Sequence, residues 1–177
     1  TRIRVLMGVL EKLHSKGFVH MDLKPENLLC YREHDVVKLL DTDSLLEKHI
    51  FTGKPRRIEI SGTRGYMAPE VLELVEGLEE DWLGCYDQRH QFAELGHLAD
   101  LYCVGVMLRR FLQEGCPRDA SVETCLRQRE PYLSGKAVRL TERLLEKMLA
   151  RRPRDRYASI GHAARDLEEL LTILDPK

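Results

Sequence analysis

Residues 20–29 read His-Met-Asp-Leu-Lys-Pro-Glu-Asn-Leu-Leu, and the interpretation of the whole chain depends on this stretch. It places a carboxylate at Asp22, an amine at Lys24 and an amide at Asn27 within six residues. A second carboxylate, Asp41, follows at a short interval. Polar groups of these kinds, grouped this closely, predict a site that handles a charged ligand rather than a structural turn.

The segment between Asn27 and Asp41 predicts a β-hairpin. Two short apolar runs, 28–31 and 36–40, are separated by the polar residues 32–35. A tight hairpin brings its two ends together, so we expect Asn27 and Asp41 to lie side by side. Their oxygens are hard donors of the kind that Mg²⁺ prefers. A base, an amine and two Mg²⁺ ligands are what phosphoryl transfer requires from a protein.

Helical periodicity dominates the rest of the chain. The first segment has one apolar face and ends at Lys16-Gly17, just before Phe18. Residues 98–112 are apolar on nearly every side, which predicts a buried central helix. Amphipathic spacing predicts further helices over 138–149 and 160–174. The expected fold is therefore mainly α, a helical bundle with one small β-hairpin that carries the catalytic and metal-binding loops.

Two segments lack clear periodicity. Residues 42–61 are charged and irregular, which predicts a mobile surface loop. Residues 74–96 contain a cluster of acidic side chains and predict an exposed insertion. Trp82, the only tryptophan of the chain, lies within it, and we expect it to pack locally, with anchoring of a partner as the alternative.

Composition and charge exclude some classes of binding partner. The chain has 177 residues, enough for one domain with its own core, and a formal net charge of -1. Its basic residues are dispersed, and no apolar run is long enough to cross a bilayer, so neither nucleic acid nor a membrane is an expected partner. Five cysteines without a Cys-x-x-Cys pair predict a reducing, intracellular and cytoplasmic setting.

Residues 62–70 read Gly-Thr-Arg-Gly-Tyr-Met-Ala-Pro-Glu. Together with residues 20–29, Asp100 and Arg156, they make the chain resemble the large, C-terminal lobe of the protein kinase family. Lysine in the 20–29 stretch resembles the serine/threonine branch. The resemblance covers nearly all of the chain and implies these regions: catalytic loop 20–29, activation segment 41–70, acidic insertion about 74–96, and helical subdomain 97–177.

The resemblance implies ATP and Mg²⁺ as cofactors and assigns roles to six residues. Asp22 would act as the base at the substrate hydroxyl, Lys24 would offset charge on the transferred phosphoryl group, and Thr63 would bond to both. Mg²⁺ would bind Asn27 and Asp41. The residues expected at the nucleotide are Lys24, Asn27, Leu29 and Asp41.

Other positions are expected to hold the site in place. By resemblance, Asp100 accepts backbone N–H bonds from the catalytic loop, and Glu70 forms a buried ion pair with Arg156. An ionised aspartate in so apolar a helix needs such partners. His20 is expected to pack and to hydrogen-bond rather than to titrate. The remaining histidines, His14 among them, show no ligand spacing, and we expect ordinary surface or core positions for them.

The chain departs from the family at two places. Met21 replaces the arginine that commonly pairs with a phosphate on the activation loop, so activation by that contact is not expected. Asp41-Thr42-Asp43 stands where most kinases have Asp-Phe-Gly. The extra carboxylate of Asp43 could repel metal ligands or become one, and the sequence leaves both open.

The leading hypothesis is a serine/threonine kinase that transfers the ATP γ-phosphate to protein hydroxyls. No Gly-rich phosphate loop precedes Thr1, so we expect a kinase small lobe upstream or in trans. The alternative is a pseudokinase-like binding or scaffold module with weak or no catalysis. Phosphotransfer to a small molecule is a third hypothesis, less favoured because residues 62–70 resemble a peptide-receiving segment. The sequence does not indicate whether the protein is a monomer or an oligomer.

Overall fold

The computed structural model describes residues 2–31, 36–47, 62–80 and 88–174. It is mainly helical, as the sequence predicts. The helices are α1 Arg2–Ser15, α2 Pro69–Glu80, α3 Gln88–Gln113, α4 Val122–Arg129, α5 Gly135–Met148 and α6 Ile160–Leu174. The strands are β1 Phe18–Val19, β2 Leu28–Tyr31, β3 Val36–Leu39 and β4 Leu46–Glu47.

Helix α1 ends where the sequence predicts. Gly17 has a φ of 82°, a left-handed conformation that glycine adopts without steric cost. Its N–H donates to the carbonyl of His14 at 3.0 Å, which closes the last turn. The chain then reverses into β1 and enters the 20–29 stretch. The end of α1 therefore fixes where that stretch begins.

The predicted hairpin is confirmed. Strands β2 and β3 pair antiparallel, from Leu28 opposite Leu39 to Tyr31 opposite Val36. One further bond, from the N–H of Leu40 to the carbonyl of Asn27 at 2.8 Å, extends the pairing beyond the strands. The turn residues 32–35 lie outside the described residues.

The prediction of an irregular loop over 42–61 is wrong for the first residues of this range. Thr42–Ser44 form a 3₁₀ turn, and β4 pairs antiparallel with β1, with Val19 opposite Leu46. Pairing of backbone groups with a distant strand, which local sequence cannot show, orders this part of the chain. Residues 48–61 lie outside the described residues.

Helix α3 is the centre of the core. Leu101 and Val104 are fully buried and pack in one apolar cluster with residues of α1, α5 and α6. At Gly105 a Cβ atom would lie 2.9 Å from Cβ of Met148, so only glycine permits this closeness to α5. The prediction of a buried helix over 98–112 is confirmed, although α3 begins earlier, at Gln88. Arg109 and Arg110, near its end, are exposed.

The helices predicted over 138–149 and 160–174 correspond to α5 and α6. Helix α4 was not predicted, because it has only eight residues and little apolar content. The hydroxyl of Ser121 accepts the N–H of Thr124 and caps its first turn, and Ser134 caps α5 in the same way.

The predicted insertion over 74–96 is partly helical, since α2 runs to Glu80 and α3 begins at Gln88. Trp82 lies outside the described residues. The four cysteines that fall within the described ranges, Cys30, Cys103, Cys116 and Cys125, are free thiols. Among the helices of these ranges, none is long and apolar enough to span a membrane.

Candidate active site

A buried carboxylate on α3 holds the start of the 20–29 stretch. Asp100 is fully buried, and its two oxygens accept the backbone N–H groups of His20 and Met21 at 2.8 and 2.9 Å. The predicted bonds from Asp100 to this loop are thus confirmed. The ring Nε2 of His14 also lies 2.8 Å from Asp100 Oδ2. A buried charge is tolerated here because three polar groups surround it.

His20 behaves only partly as predicted. It is fully buried, and its backbone carbonyl accepts the hydroxyl of Ser44 at 2.9 Å. Its two ring nitrogens have no hydrogen-bond partner among the described residues, so the prediction that its side chain hydrogen-bonds is wrong. The ring serves packing, and the backbone makes the bonds that join the loop to α3 and to residue 44.

Met21 adopts an unusual backbone conformation. Its φ is 70°, in the left-handed region that non-glycine residues rarely enter. Its side chain is buried in an apolar cluster with Val19, Met67, Val71 and Ala99. An arginine side chain in this cluster would bring an uncompensated charge into apolar surroundings. The methionine that replaces the family's arginine therefore suits the apolar surroundings of this position.

Asp22 is surrounded by hydrogen-bond donors. Its Oδ1 accepts the backbone N–H and the hydroxyl of Thr63 at 2.8 and 2.9 Å. Its Oδ2 accepts Lys24 Nζ at 2.7 Å and Asn27 Nδ2 at 3.1 Å. Lys24 Nζ also donates to Thr63 Oγ1 at 2.9 Å. Four donors thus occupy the lone-pair directions of one carboxylate.

These donors determine the charge of the pair. Burial acts to raise the pKa of Asp22, but hydrogen bonds from Lys24 and Thr63 outweigh it, and the pKa of Asp22 falls below its ordinary value of 3.8. The hydrogen bond to Asp22 raises the pKa of Lys24 above 10.5, and the charge of Asp41 contributes to the rise. Both groups are therefore ionised at neutral pH.

Asn27 and Asp41 stand at the two ends of the hairpin, as expected. Asn27 is buried, and its Nδ2 also donates to the carbonyl of Asp22 at 2.8 Å, which leaves Oδ1 as the amide's acceptor end. Asp41 is exposed and has a φ of 55°. Leu29, in β2, is exposed as well. The arrangement offers one carboxylate and one amide oxygen to a cation.

The residues after Asp41 differ in their exposure. Thr42 and Asp43 are exposed, whereas Ser44 is buried and donates its hydroxyl to the loop, as described above. Within the described ranges, no group of three His, Cys, Asp or Glu side chains is placed to hold a metal ion. A cation at Asn27 and Asp41 would consequently depend on a ligand for its remaining positions.

Arg156 and Glu70 form the predicted ion pair. Two guanidinium nitrogens of Arg156 each donate to one oxygen of Glu70 at 2.7 Å. Three further bonds from Arg156 reach the carbonyls of Leu98, Ala150 and Arg151. The pair joins the start of α2 to the middle of the core helix α3, at Leu98, and to the turn before α6.

The segment from Thr63 to Tyr66 is attached to α3 by two contacts. The thiol of Cys103 donates to the carbonyl of Tyr66 at 3.2 Å, and burial raises the pKa of this thiol strongly, so it stays protonated. Arg110 donates to the carbonyl of Gly65 at 2.8 Å. Helix α3 therefore contacts both the 20–29 stretch and the 62–66 segment.

Sequence reasoning missed His14, Ser44 and Arg110. His14 is 86 residues from its partner Asp100, and its position on the buried face of α1 was the only signal available. Ser44 and Arg110 donate hydrogen bonds to backbone carbonyls of other residues. Every residue has such a carbonyl, so the sequence contains no pattern that identifies these partners. Every residue singled out for chemistry except Leu29 belongs to the cluster around Asp22 or follows the hairpin that ends beside it.

Comparison with known proteins identifies the family. The protein kinase domain matches residues 2–167 of the chain. The chain therefore belongs to the protein kinase family, and the predicted resemblance to that family is confirmed.

Individual relatives carry kinase names. Calcium-dependent protein kinase 26 of Oryza sativa subsp. japonica is 34% identical over 110 residues, 62% of this chain and 17% of that protein. A probable serine/threonine-protein kinase CHK1 homolog of Encephalitozoon cuniculi is 34% identical over 122 residues, 68% of this chain and 25% of that protein. MAP kinase-interacting serine/threonine-protein kinase 2 of Xenopus laevis is 36% identical over 113 residues, 60% of this chain and 21% of that protein. The matched region is thus at most a quarter of the length of these relatives.

Proposed function

We propose that this chain carries the catalytic loop of an ATP-dependent protein serine/threonine kinase. One observation carries the proposal: Asp22, Lys24, Thr63 and Asn27 form a single hydrogen-bonded cluster beside Asp41. A carboxylate, a cation and two further oxygen ligands are the groups that phosphoryl transfer uses. The names of the relatives support the serine/threonine class.

Mg²⁺ and ATP fit the donor set. Asn27 and Asp41 would hold Mg²⁺, because the ion is commonly bound through one or two protein oxygens and completes its shell with phosphate and water. When bound, Mg²⁺ neutralises charge on the nucleotide phosphates. Lys24, with an ammonium partly open to solvent, would contact the transferred phosphoryl group. Leu29, exposed on β2, would contact the nucleotide by its apolar surface.

The crowding of Asp22 gives Lys24 a second role. All four acceptor directions of Asp22 are occupied, so a substrate hydroxyl must replace one donor before Asp22 can accept its proton. Lys24 is the donor able to leave, since its long side chain can turn from Asp22 to a phosphate. Thr63 would keep Oδ1 in place meanwhile through its two bonds. Binding of the nucleotide would thereby prepare the base.

A second function, a binding module with weak or no catalysis, is favoured by one observation. Thr42 and Asp43 occupy the exposed turn directly after Asp41. The extra carboxylate would raise the negative charge near the cation site, and Coulomb repulsion between the carboxylates would oppose closely placed phosphates. Neutralising the Asp43 carboxylate distinguishes the kinase from the binding module, because the substitution can change a rate of phosphate transfer only if the protein is an enzyme.

The test measures phosphate transfer from ATP to serine and threonine peptides by the natural protein that contains these residues. Wild type is compared with Asp22→Asn and Asp43→Asn, and a Glu26→Gln variant serves as a control, since Glu26 is an exposed carboxylate of the same loop. We expect transfer by wild type and by Glu26→Gln, and its loss in Asp22→Asn. Transfer that is absent in wild type, with nucleotide binding retained, would favour the binding module.

A further inference from the structure

An open groove lies beside the candidate site, on the side of Pro25, which directly follows Lys24. Its volume is about 530 Å³, and its walls come from the catalytic loop, the 62–66 segment and the end of α3. Met107 and Phe111 supply apolar surface, and 59% of Phe111 is exposed. A groove that borders both the catalytic loop at Pro25 and the segment ending at Tyr66 can receive part of a peptide.

Arg110 is the cation of this groove. Its guanidinium lies 4.2 Å from the centre of the Tyr66 ring and donates one hydrogen bond to the carbonyl of Gly65. A Cβ atom at Gly65 would lie 2.9 Å from this guanidinium, so glycine permits the close contact. The stacking and the hydrogen bond fix the position of the charge.

The guanidinium retains capacity for a ligand. Arginine has five N–H donors, and the described residues accept from one of them. No carboxylate of the described residues forms an ion pair with Arg110, although Glu114 also lines the groove. A carboxylate that entered the groove could therefore form the bidentate pair that arginine geometry favours.

We propose that Arg110 selects peptide substrates that carry an acidic side chain at one fixed position relative to the phosphorylated residue. The proposal rests on the proposed kinase function and adds the charge preference of the same site. The occupant is the carboxylate of a substrate aspartate or glutamate. Its hydrocarbon part would pack on Phe111 and Met107, while its oxygens would meet Arg110.

The experiment uses serine peptides in which a single glutamate, lysine or alanine is moved through the positions on both sides of the serine. Two readouts are taken: kcat/KM for phosphorylation by the natural protein, and the Kd of fluorescent peptides measured by anisotropy with the chain. We expect glutamate to be favoured over lysine about three- to tenfold at one position, the effect of one charge-assisted contact that is partly exposed.

Variants assign the effect to the residue. Arg110→Gln should abolish the preference, and Arg110→Glu should invert it toward lysine at the same position. Arg109→Glu is the matched control, because Arg109 is exposed on the same helix and does not line the groove, and it should leave the preference unchanged. Circular dichroism melting of each variant verifies that the fold is intact.

The two proposals fail differently. Phosphorylation without any charge preference, or a preference that persists in both Arg110 variants, would overturn the role of Arg110 and leave the kinase function standing. Charge-dependent peptide binding that follows Arg110, without phosphate transfer, would support the groove and reject the kinase function.

Discussion

Arg156 uses all five of its N–H donors, two of them on the carboxylate of Glu70 and three on backbone carbonyls. Its side chain is fully buried, whereas 17% of the Glu70 side chain is exposed. A pair of this kind gains little net free energy from the attraction itself, because both charges lose their hydration. Its importance appears when one partner is removed and the other remains buried.

The first prediction concerns the stability that depends on this pair. Glu70→Ala should lower the free energy of unfolding by about 3 to 5 kcal/mol, the range for a broken buried ion pair. Glu73→Ala is the matched control on α2, since Glu73 pairs with Arg151 at 3.3 Å with side-chain exposures of 65% and 82%. That pair should contribute about 0 to 1 kcal/mol. Urea unfolding curves give both values, and equal losses in the two variants would contradict the argument.

The second prediction separates two carboxylates by their roles. Asp22→Asn should reduce kcat at least about 100-fold, as expected for loss of a general base, and should leave the affinity for Mg²⁺-ADP nearly unchanged. Asp41→Asn should weaken Mg²⁺-ADP binding itself. Isothermal titration calorimetry and steady-state kinetics on the natural protein distinguish these effects. Wild-type turnover in both variants would show that the residues have been assigned wrongly.

The third prediction follows from the lowered pKa of Asp22. A carboxyl group whose pKa is lower in the folded state stabilises the fold above its unfolded pKa, near 3.8, and loses this contribution as pH falls through the folded value. The difference in unfolding free energy between wild type and Asp22→Asn should therefore be constant at neutral pH and shrink below about pH 4.

The measurement is a series of urea unfolding curves from neutral pH downward, limited to pH values at which both proteins remain folded. Glu26→Gln is the control, because Glu26 makes no hydrogen bond to the described residues. A difference for Asp22→Asn that grows as pH falls would mean that the hydrogen bonds to this carboxylate do not favour its ionised form.

The fourth prediction concerns Met21. Met21→Arg should destabilise the protein by about 2 to 4 kcal/mol, because the cluster of Val19, Met67 and Val71 offers no partner for a charge. Met21→Leu, which conserves apolar volume, should cost less than about 1.5 kcal/mol. Thermal and urea unfolding compare the two. Equal stability of Met21→Arg and wild type would show that the arginine side chain can reach solvent or a carboxylate from this position.

Phosphorylation within residues 42–61 should alter activity little through a contact at position 21, since an apolar side chain cannot bind phosphate. Comparing phosphatase-treated and untreated natural protein tests this prediction. A large loss of activity after dephosphorylation would mean that another basic residue binds the phosphate.

Local patterns predicted the parts of this structure that local physics determines. The apolar face of α1, the glycine that ends it and the hairpin between Asn27 and Asp41 each follow from neighbouring residues. The bonds of Asp100 were predicted because a charge in an apolar helix must have partners. These partners lie about 80 residues away, and the family resemblance supplied their location.

Other features depend on contacts that no local pattern records. Strands β1 and β4 have two residues each, too few to show an alternation, and they form because the chain brings them together. Nothing in the sequence distinguishes His14 from the other histidines, and only the fold shows that its ring contacts Asp100. The groove at Arg110 forms where three separate segments of the chain meet. The sequence shows that residue 110 is an arginine, but it does not show that its charge lies in a groove.

Helix α3 connects the two halves of the site at a fixed spacing. Asp100, Cys103 and Arg110 are separated by three and seven residues, which places them on one face of the helix, and about 15 Å separates the first from the last. One inserted residue between Cys103 and Arg110 would rotate the helix beyond the insertion by about 100° and move the Arg110 guanidinium away from the groove. Asp100 and Cys103 are buried, while Arg110 is open to solvent. If Arg110 selects acidic peptides as proposed, exchanges at this exposed position can change the peptide preference while Asp100, and the loop that it holds, remain unchanged.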